Sequence, residues 1–392
     1  MAADLVAVVS PRGARRAVGG HPWIYRDEVE RLDGGAGALV SVLDRSGRFV
    51  CWAAASPESV IALRRVSFAR EQPTIDGLRG RLLRAIELRA GGTTRRSGAG
   101  RWLHADAEGF PGLTIDRYEA HLVIQATTAW ADRMQHELVP WLASELNLSS
   151  VLSRGDAKGR EFERLDAETR QLLGTTPRLC EVEAGGAIRL VDPWSGHKTG
   201  LYLDQAENQI AATAWLRGRV LDLFCAEGGF SLPLARSGCQ VVAVDSSRPG
   251  LERAESAAQS NRCADRIEWI EGDVFDYLAE LDRTNERFDG VIVDPPPFAR
   301  RKQELPGAIK GYRELLRRSM RLVRPGGRVL GFSCSFHVSQ AQFDQIAGEA
   351  AAAVGATAHV LARPGPASDH PECLGFPESR YLKGLLMERR YS

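Results

Sequence analysis

After Pro193 the sequence settles into a regular beat: short apolar runs at 219–224, 241–245, 267–270, 290–294 and 328–332, separated by turns and helical stretches. Parallel strands need a crossover between them, usually a helix, so this alternation points to an open parallel sheet covered by helices. Burial on both faces also accounts for runs that are almost wholly apolar. We therefore expect an α/β, Rossmann-like domain over 191–392, with its last strands centred on 359–361 and 381–386. In such a sheet ligands bind beyond the carboxyl ends of the strands. The strand tips are where functional residues belong.

Upstream the pattern changes. Within 1–75, residues 39–43 alternate, Asp44-Arg45-Ser46-Gly47 is turn-like and 48–53 resumes an extended pattern, which reads as a small antiparallel β-barrel of hairpins. From Asp76, Leu78, Leu82 and Ile86 recur at helical spacing until Gly91-Gly92. Strand-like 112–116 and 122–125, then a helix over 131–146, make 76–190 a central α+β domain. The fold class is thus multidomain. No stretch approaches the ~20 consecutive apolar residues of a membrane span, and the first residues lack the apolar run of a signal peptide. A cytoplasmic protein with no membrane partner is expected. The seven cysteines, at 51, 180, 225, 239, 263, 334 and 373, form no C-x-x-C pair, so neither a disulfide framework nor a metal site is expected. A net charge of +1 hides two basic stretches, one at Arg12, Arg15 and Arg16, the other through Arg79, Arg81, Arg84, Arg89, Arg95, Arg96 and Arg101. Taken alone, either could be a solvated face.

Three strands end in an acid or carry one near the tip. Asp222 precedes the turn Phe224-Cys225-Ala226-Glu227-Gly228-Gly229, Asp245 ends the second run and Asp273 follows the third. Gly228 and Gly229 let a backbone pass close to a ligand, and an acid on the second strand can accept hydrogen bonds from ribose hydroxyls. The G-x-G-x-x-G needed to hold a pyrophosphate is missing. S-adenosylmethionine carries no phosphate and is positively charged, so this acid-rich rim suits it better than a dinucleotide.

The stretch VLDLFCAEGGFSLPLA from Val220, with DPPPFAR from Asp294, GYRELLRRSMRLVRPGG from Gly311 and GFSCS from Gly331, resembles the bacterial 23S ribosomal RNA large subunit methyltransferase I family. HPWIY from His21 resembles its N-terminal PUA domain, GLTIDRY from Gly112 its middle domain and KTGLYLDQAENQ from Lys198 the entry to its catalytic domain. DHP from Asp369 and YLKG from Tyr381 match its C-terminal end. The resemblance spans nearly the whole chain. It implies a PUA-like barrel, a central α+β domain and a class I methyltransferase domain making 5-methylcytosine in 23S RNA, naked or in an early precursor. It also implies that Asp222, Phe224, Cys225, Gly228, Gly229, Asp245, Asp273, Asp294 and Gln205 hold S-adenosylmethionine. Two departures stand out: Ala206 replaces an arginine, and Ala226-Glu227 replaces Tyr-Thr before the glycine pair.

Carbon 5 of cytosine is a poor nucleophile. Thiolate addition at carbon 6 makes the ring enamine-like, so that carbon 5 can attack the sulfonium methyl, and loss of the carbon 5 proton then expels the thiolate. The resemblance assigns this nucleophile to Cys334, whose bland alternative is a buried structural thiol. The prolines after Asp294 stiffen its loop, so Asp294 is expected to hydrogen-bond the cytosine edge as a second catalytic residue. Phe298 is expected to stack on the extruded base, and Arg12, Arg15 and Arg16 to track RNA phosphates. The residue that removes the carbon 5 proton is unassigned, and a homodimer is left open. Competing readings are methylation of uracil carbon 5 or a guanine nitrogen, a non-catalytic RNA-binding assembly factor, and a nicotinamide oxidoreductase.

Overall fold

The computed structural model describes residues 5–90, 98–299 and 301–391. Arg95, Arg96 and the Gly91-Gly92 stop lie outside the described residues. The chain divides into two compact units. The first takes residues up to Val182 with Val191–Leu201 and Ser368–Ser379; the second takes Glu183–Leu190, Tyr202–Ala367 and the chain from Arg380.

The first unit begins with β1 (Val6–Val9), α1 (Pro11–Val18), β2 (Trp23–Tyr25), β3 (Val29–Leu32), β4 (Leu39–Asp44), β5 (Phe49–Ala55) and β6 (Ile61–Ser67). They form one sheet in the order β2-β6-β5-β4-β1-β3. The β4–β5 hairpin closes where its turn is expected, with Asp44 Oδ1 accepting from the N–H groups of Ser46 and Arg48 at 2.8 and 3.1 Å. The sheet is not wholly antiparallel, because β1 runs parallel to β4. The intervening α1, β2 and β3 supply the chain length that a parallel return needs. Next come α2 (Ile75–Ala90), β7 (Ala99–His104), β8 (Leu113–Tyr118), β9 (His121–Ala126), α3 (Ala129–Leu146), β10 (Ser150–Arg154) and β11 (Arg170–Gly174), with the strands in the order β11-β10-β9-β8-β7. Thr128 starts α3 by accepting from Ala131 N at 3.1 Å, the N-cap bond that satisfies an orphan donor. Leu78, Leu82, Leu138 and Leu142 then bury against Ile115, Leu122 and Ile124 of the sheet.

After the two-stranded β12 (Cys180–Ala184) and β13 (Ala187–Val191), the second unit continues with α4 (Ala206–Trp215), β14 (Arg219–Leu223), α5 (Ser231–Arg236), β15 (Gln240–Asp245), α6 (Arg248–Ser260), β16 (Ile267–Glu271) and α7 (Val274–Leu281). It ends with β17 (Phe288–Val293), α8 (Leu305–Leu322), β18 (Val323–Ser333), α9 (Gln340–Ala352), β19 (Ala356–Ala362) and β20 (Lys383–Tyr391). The sheet order is β16-β15-β14-β17-β18-β20-β19. Successive residues serve opposite faces: Leu221, Leu223, Val242, Val244, Val291 and Val293 enter one core with α8 and α9. Val220, Val241, Ala243 and Ile292 enter the other. Burying each such aliphatic side chain contributes roughly 1.5–3 kcal/mol, which is why the runs are legible as strands.

The wholly parallel sheet expected from the sequence needs correction at one edge. β14 to β18 are parallel, but β20 is antiparallel to both β18 and β19. Among the described residues no α-helix lies between β19 and β20, so the chain doubles back between them without a crossover. Among the described residues, no helix is long and apolar enough to cross a membrane.

Candidate active site

Because β14 to β18 are parallel, their carboxyl ends share one sheet edge. Topology alone therefore brings together the 224–229 turn after β14, Asp245 at the end of β15, Asp273 after β16, Asp294 after β17 and Cys334 after β18. β20 runs the other way, so its first residue, Lys383, arrives at the same edge opposite Ser333.

The turn after β14 is held in an unusual backbone. Phe224 and Ala226 adopt φ of +63° and +49°, left-handed conformations that non-glycine residues keep only where surroundings enforce them. The enforcing contacts are N–H groups of Phe224 and Cys225 donating to Val244 O at 3.0 and 3.1 Å. Ala226 N also donates to Asp245 Oδ2 at 2.9 Å. Asp245 Oδ1 accepts from Ser247 N at 2.8 Å. This carboxylate thus ties the glycine turn to the start of α6. Asp273 is exposed and caps α7, accepting from Phe275 N and Asp276 N at 2.8 and 3.2 Å. Cys225 is buried in an apolar core, which pushes its thiol far up.

The two glycines make room for protein. A side chain at Gly228 (φ +72°) would meet the Trp269 ring at 2.9 Å, and one at Gly229 the Gln209 amide at 2.7 Å. Glu227, a departure from the family pattern, is 3% exposed and pairs with Arg253 of α6 at 2.7 Å. Its own carbonyl accepts from the buried Arg189 at 2.8 Å. The extra negative charge is therefore compensated internally.

Asp222 is almost fully enclosed. Ser231 Oγ donates to its Oδ2 at 2.6 Å, while Oδ1 has no hydrogen-bond partner among the described residues. Burial raises this carboxyl to about 7, with the charge of Asp245 adding to the effect and Ser231 and Arg189 opposing it. A buried carboxylate oxygen lacking a donor is matched by a cationic ligand with an amino group. By this measure the strand-tip residues fit S-adenosylmethionine.

On the neighbouring strands, Asp294 Oδ2 accepts from Gln205 Nε2 at 2.9 Å, and Gln205 Oε1 in turn accepts from Asn208 at 2.6 Å. Gln205, expected at the cofactor, orients Asp294. Cys334 is partly exposed, and its Sγ lies 3.6 Å from Pro295 O. The flanking Ser333 and Ser335 are fully buried. Ser335 fixes the loop: its Oγ lies 2.9 Å from Tyr312 Oη and 3.2 Å from Ala299 N. Alternation then turns Cys334 outward between them.

Phe298, expected to stack on the base, is half-buried. Its ring packs 4.8 Å from Tyr312 and 6.2 Å from Phe275, centroid to centroid, and its edge closes on Gly311. Phe336, two residues past Cys334 in the chain, is 52% exposed and packs edge-on against His337. Tyr202 also borders the site: burial raises its phenol, and the charges of Glu227, Asp294, Asp204 and Cys334 push the same way. Tyr202 and Lys383 lie inside the recognised motifs KTGLYLDQAENQ and YLKG, yet only the folded chain brings the Cys334 charge to bear on Tyr202 and pairs Lys383 with Ser333.

The arginines of the barrel divide. Arg16 Nε lies 3.1 Å from both oxygens of the buried Glu28 and stacks over Tyr25, so it stabilises the barrel. Arg12 shares Glu28 and reaches Asp27. Arg15 is exposed, with no ion pair among the described residues. In the second basic stretch, Arg81 binds the carbonyls of Val66, Glu108 and Gly109, Arg89 pairs with Glu108, and Arg101 pairs with Asp116. These three are internal clamps.

The family described as PUA-like domain matches residues 7–68, and that described as S-adenosylmethionine-dependent methyltransferase matches residues 164–372. A protein of Photobacterium profundum called ribosomal RNA large subunit methyltransferase I is 36% identical over 374 residues, covering 93% of this chain and 94% of its own. The protein of the same name from Aeromonas hydrophila is 36% identical over 379 residues, covering 94% and 96%. Among solved structures, a methyltransferase complexed with SAH superposes with a TM-score of 0.84 at 18% identity, covering 98% of this chain and 100% of that one. A methyltransferase from Streptococcus mutans gives 0.83 at 18%, with the same coverage.

Proposed function

Because the chain belongs to the ribosomal RNA large subunit methyltransferase I family, we propose that it methylates carbon 5 of a cytosine in 23S ribosomal RNA, using S-adenosylmethionine and a covalent adduct to Cys334. The observation that carries this reading is a part-exposed thiol at the tip of β18, 3.6 Å from a carbonyl of the loop that begins at Asp294. The Cys334 thiolate adds to carbon 6, and the ring electrons move onto carbon 5 and the N3 side. Asp294, oriented by Gln205, faces the N3 and amino edge, and in its carboxylic acid form it donates to N3 as negative charge develops there. S-adenosylmethionine supplies the electrophilic methyl group that carbon 5 accepts. Water takes the carbon 5 proton, the carbon–hydrogen electron pair restores the ring double bond, and the carbon 6–sulfur bond breaks with its electrons leaving on the Cys334 thiolate. Asp222, Asp245, Asp273 and the 224–229 turn hold the cofactor, while Arg15, with Arg12 beside it, follows RNA phosphates.

The test is methyl transfer from labelled S-adenosylmethionine to 23S RNA, with nucleoside mass analysis and the variant Cys334→Ala. The expected result is 5-methylcytosine from the wild type, and a variant that binds cofactor but does not turn over. A fully active Cys334→Ala protein overturns the covalent route and favours a ring-nitrogen or amine target. Labelled 5-methyluridine moves the assignment to uracil, and absence of transfer to any RNA favours an assembly factor.

A further inference from the structure

The edge that carries Cys334 is rich in acids. Asp294, Asp204, Glu227 and Cys334 all act electrostatically on Tyr202, and a thiolate formed there needs a positive neighbour. Arg253 is already committed to Glu227 and Arg189 to the Glu227 carbonyl. A further cation at this edge is Lys383. It is 5% exposed, opens β20 opposite Ser333, and its Nζ donates to Ser335 O at 2.9 Å and Tyr381 O at 2.8 Å. Among the described residues it forms no ion pair with a carboxylate. A buried ammonium satisfied by carbonyls alone is costly, and the acidic group that acts on it electrostatically is Cys334, one residue before the Ser335 carbonyl it binds.

We propose that Lys383 is a positioning residue that acts through Cys334: its ammonium stabilises the thiolate and, by holding the Ser335 carbonyl, fixes where the sulfur points. The inference rests on the reading of Cys334 as the nucleophile. In the step concerned the sulfur–hydrogen bond breaks, the proton leaves to water or buffer, and the electron pair stays on sulfur. The ammonium keeps its three protons. Burial lowers Lys383 to about 8, the Cys334 sulfur draws it up and Arg380 pushes it down. Being a base with a lowered value, it is charged at neutral pH and loses its charge as pH rises through about 8.

The experiment is the pH dependence of alkylation of Cys334 by iodoacetamide in the full-length protein, read by mass spectrometry of the peptide that contains it. The wild type is expected to react with a midpoint clearly below the ~8.5 of a free cysteine. Lys383→Met is expected to raise that midpoint tenfold or more on the proton scale, and Lys383→Arg to keep it. Retained S-adenosylmethionine binding shows that each variant is folded. A Lys383→Met profile that coincides with the wild type overturns the proposal. So does a wild-type midpoint at or above the free-cysteine value, which needs no variant at all. Failure of the nucleophile reading is seen separately, as turnover by Cys334→Ala.

Discussion

Replacing Asp222 by asparagine tests how the fold prepares for a cationic cofactor. The carboxyl is 1% exposed and raised from 3.8 to about 7, chiefly by burial. Holding such a group ionised in the fold costs about 4 kcal/mol relative to the unfolded chain. The sign follows from proton counts. Between pH 4 and 7 the unfolded chain has lost this proton and the folded one has kept it, so stability falls as pH rises through that window. The asparagine side chain cannot ionise, and its amide oxygen can still accept from Ser231 Oγ. From pH 5 to 8.5 the wild type is therefore expected to lose about 3 kcal/mol relative to Asp222→Asn, measured by denaturant unfolding at each pH. Cofactor binding supplies a second readout. At pH 6 the free carboxyl is mostly protonated, and a cationic ligand should drive off close to one proton. Calorimetry in buffers of different ionisation heat counts it. The wild type is expected to release the proton, and Asp222→Asn to release none while binding more weakly. Parallel stability profiles for the two proteins, together with equal proton counts, would refute the argument that Asp222 is a strained acid awaiting a cation.

Three further outcomes follow from the same geometry. Arg253→Met strands the buried Glu227 carboxylate and is expected to cost about 3–5 kcal/mol in denaturant unfolding, with Glu227→Thr in the same chain restoring much of it. Gly228→Ala must hold φ near +72° and push on Trp269. It should cost at least ~1–2 kcal/mol and weaken cofactor binding in a fluorescence titration; unchanged affinity would count against the turn's role. Arg15→Ala should lower RNA affinity and flatten its salt dependence by about one phosphate contact without moving the melting temperature. Arg16→Ala should do the reverse, since its guanidinium is spent on Glu28.

How far the sequence could be read depended on the range of the forces involved. The apolar runs at 219–224, 241–245 and 290–294 announced β14, β15 and β17 because burial on both faces leaves few polar choices. The order of acids and cysteine along the chain was enough to expect Asp245, Asp294 and Cys334 at one edge, since parallel strands put all their carboxyl ends together. Chain order alone could not reveal pairings between distant residues. Nothing local says that β20 inserts between β18 and β19 and carries Lys383 to Ser335. Nor does it say that Gln205 would be used on Asp294, that Phe298 would be packed on Tyr312, or that Arg16 would be bound to Glu28. A motif names the residue types present at a site. Which of them remain available to a ligand is settled by side-chain partners dozens or hundreds of positions away, and those exist only once the chain has folded.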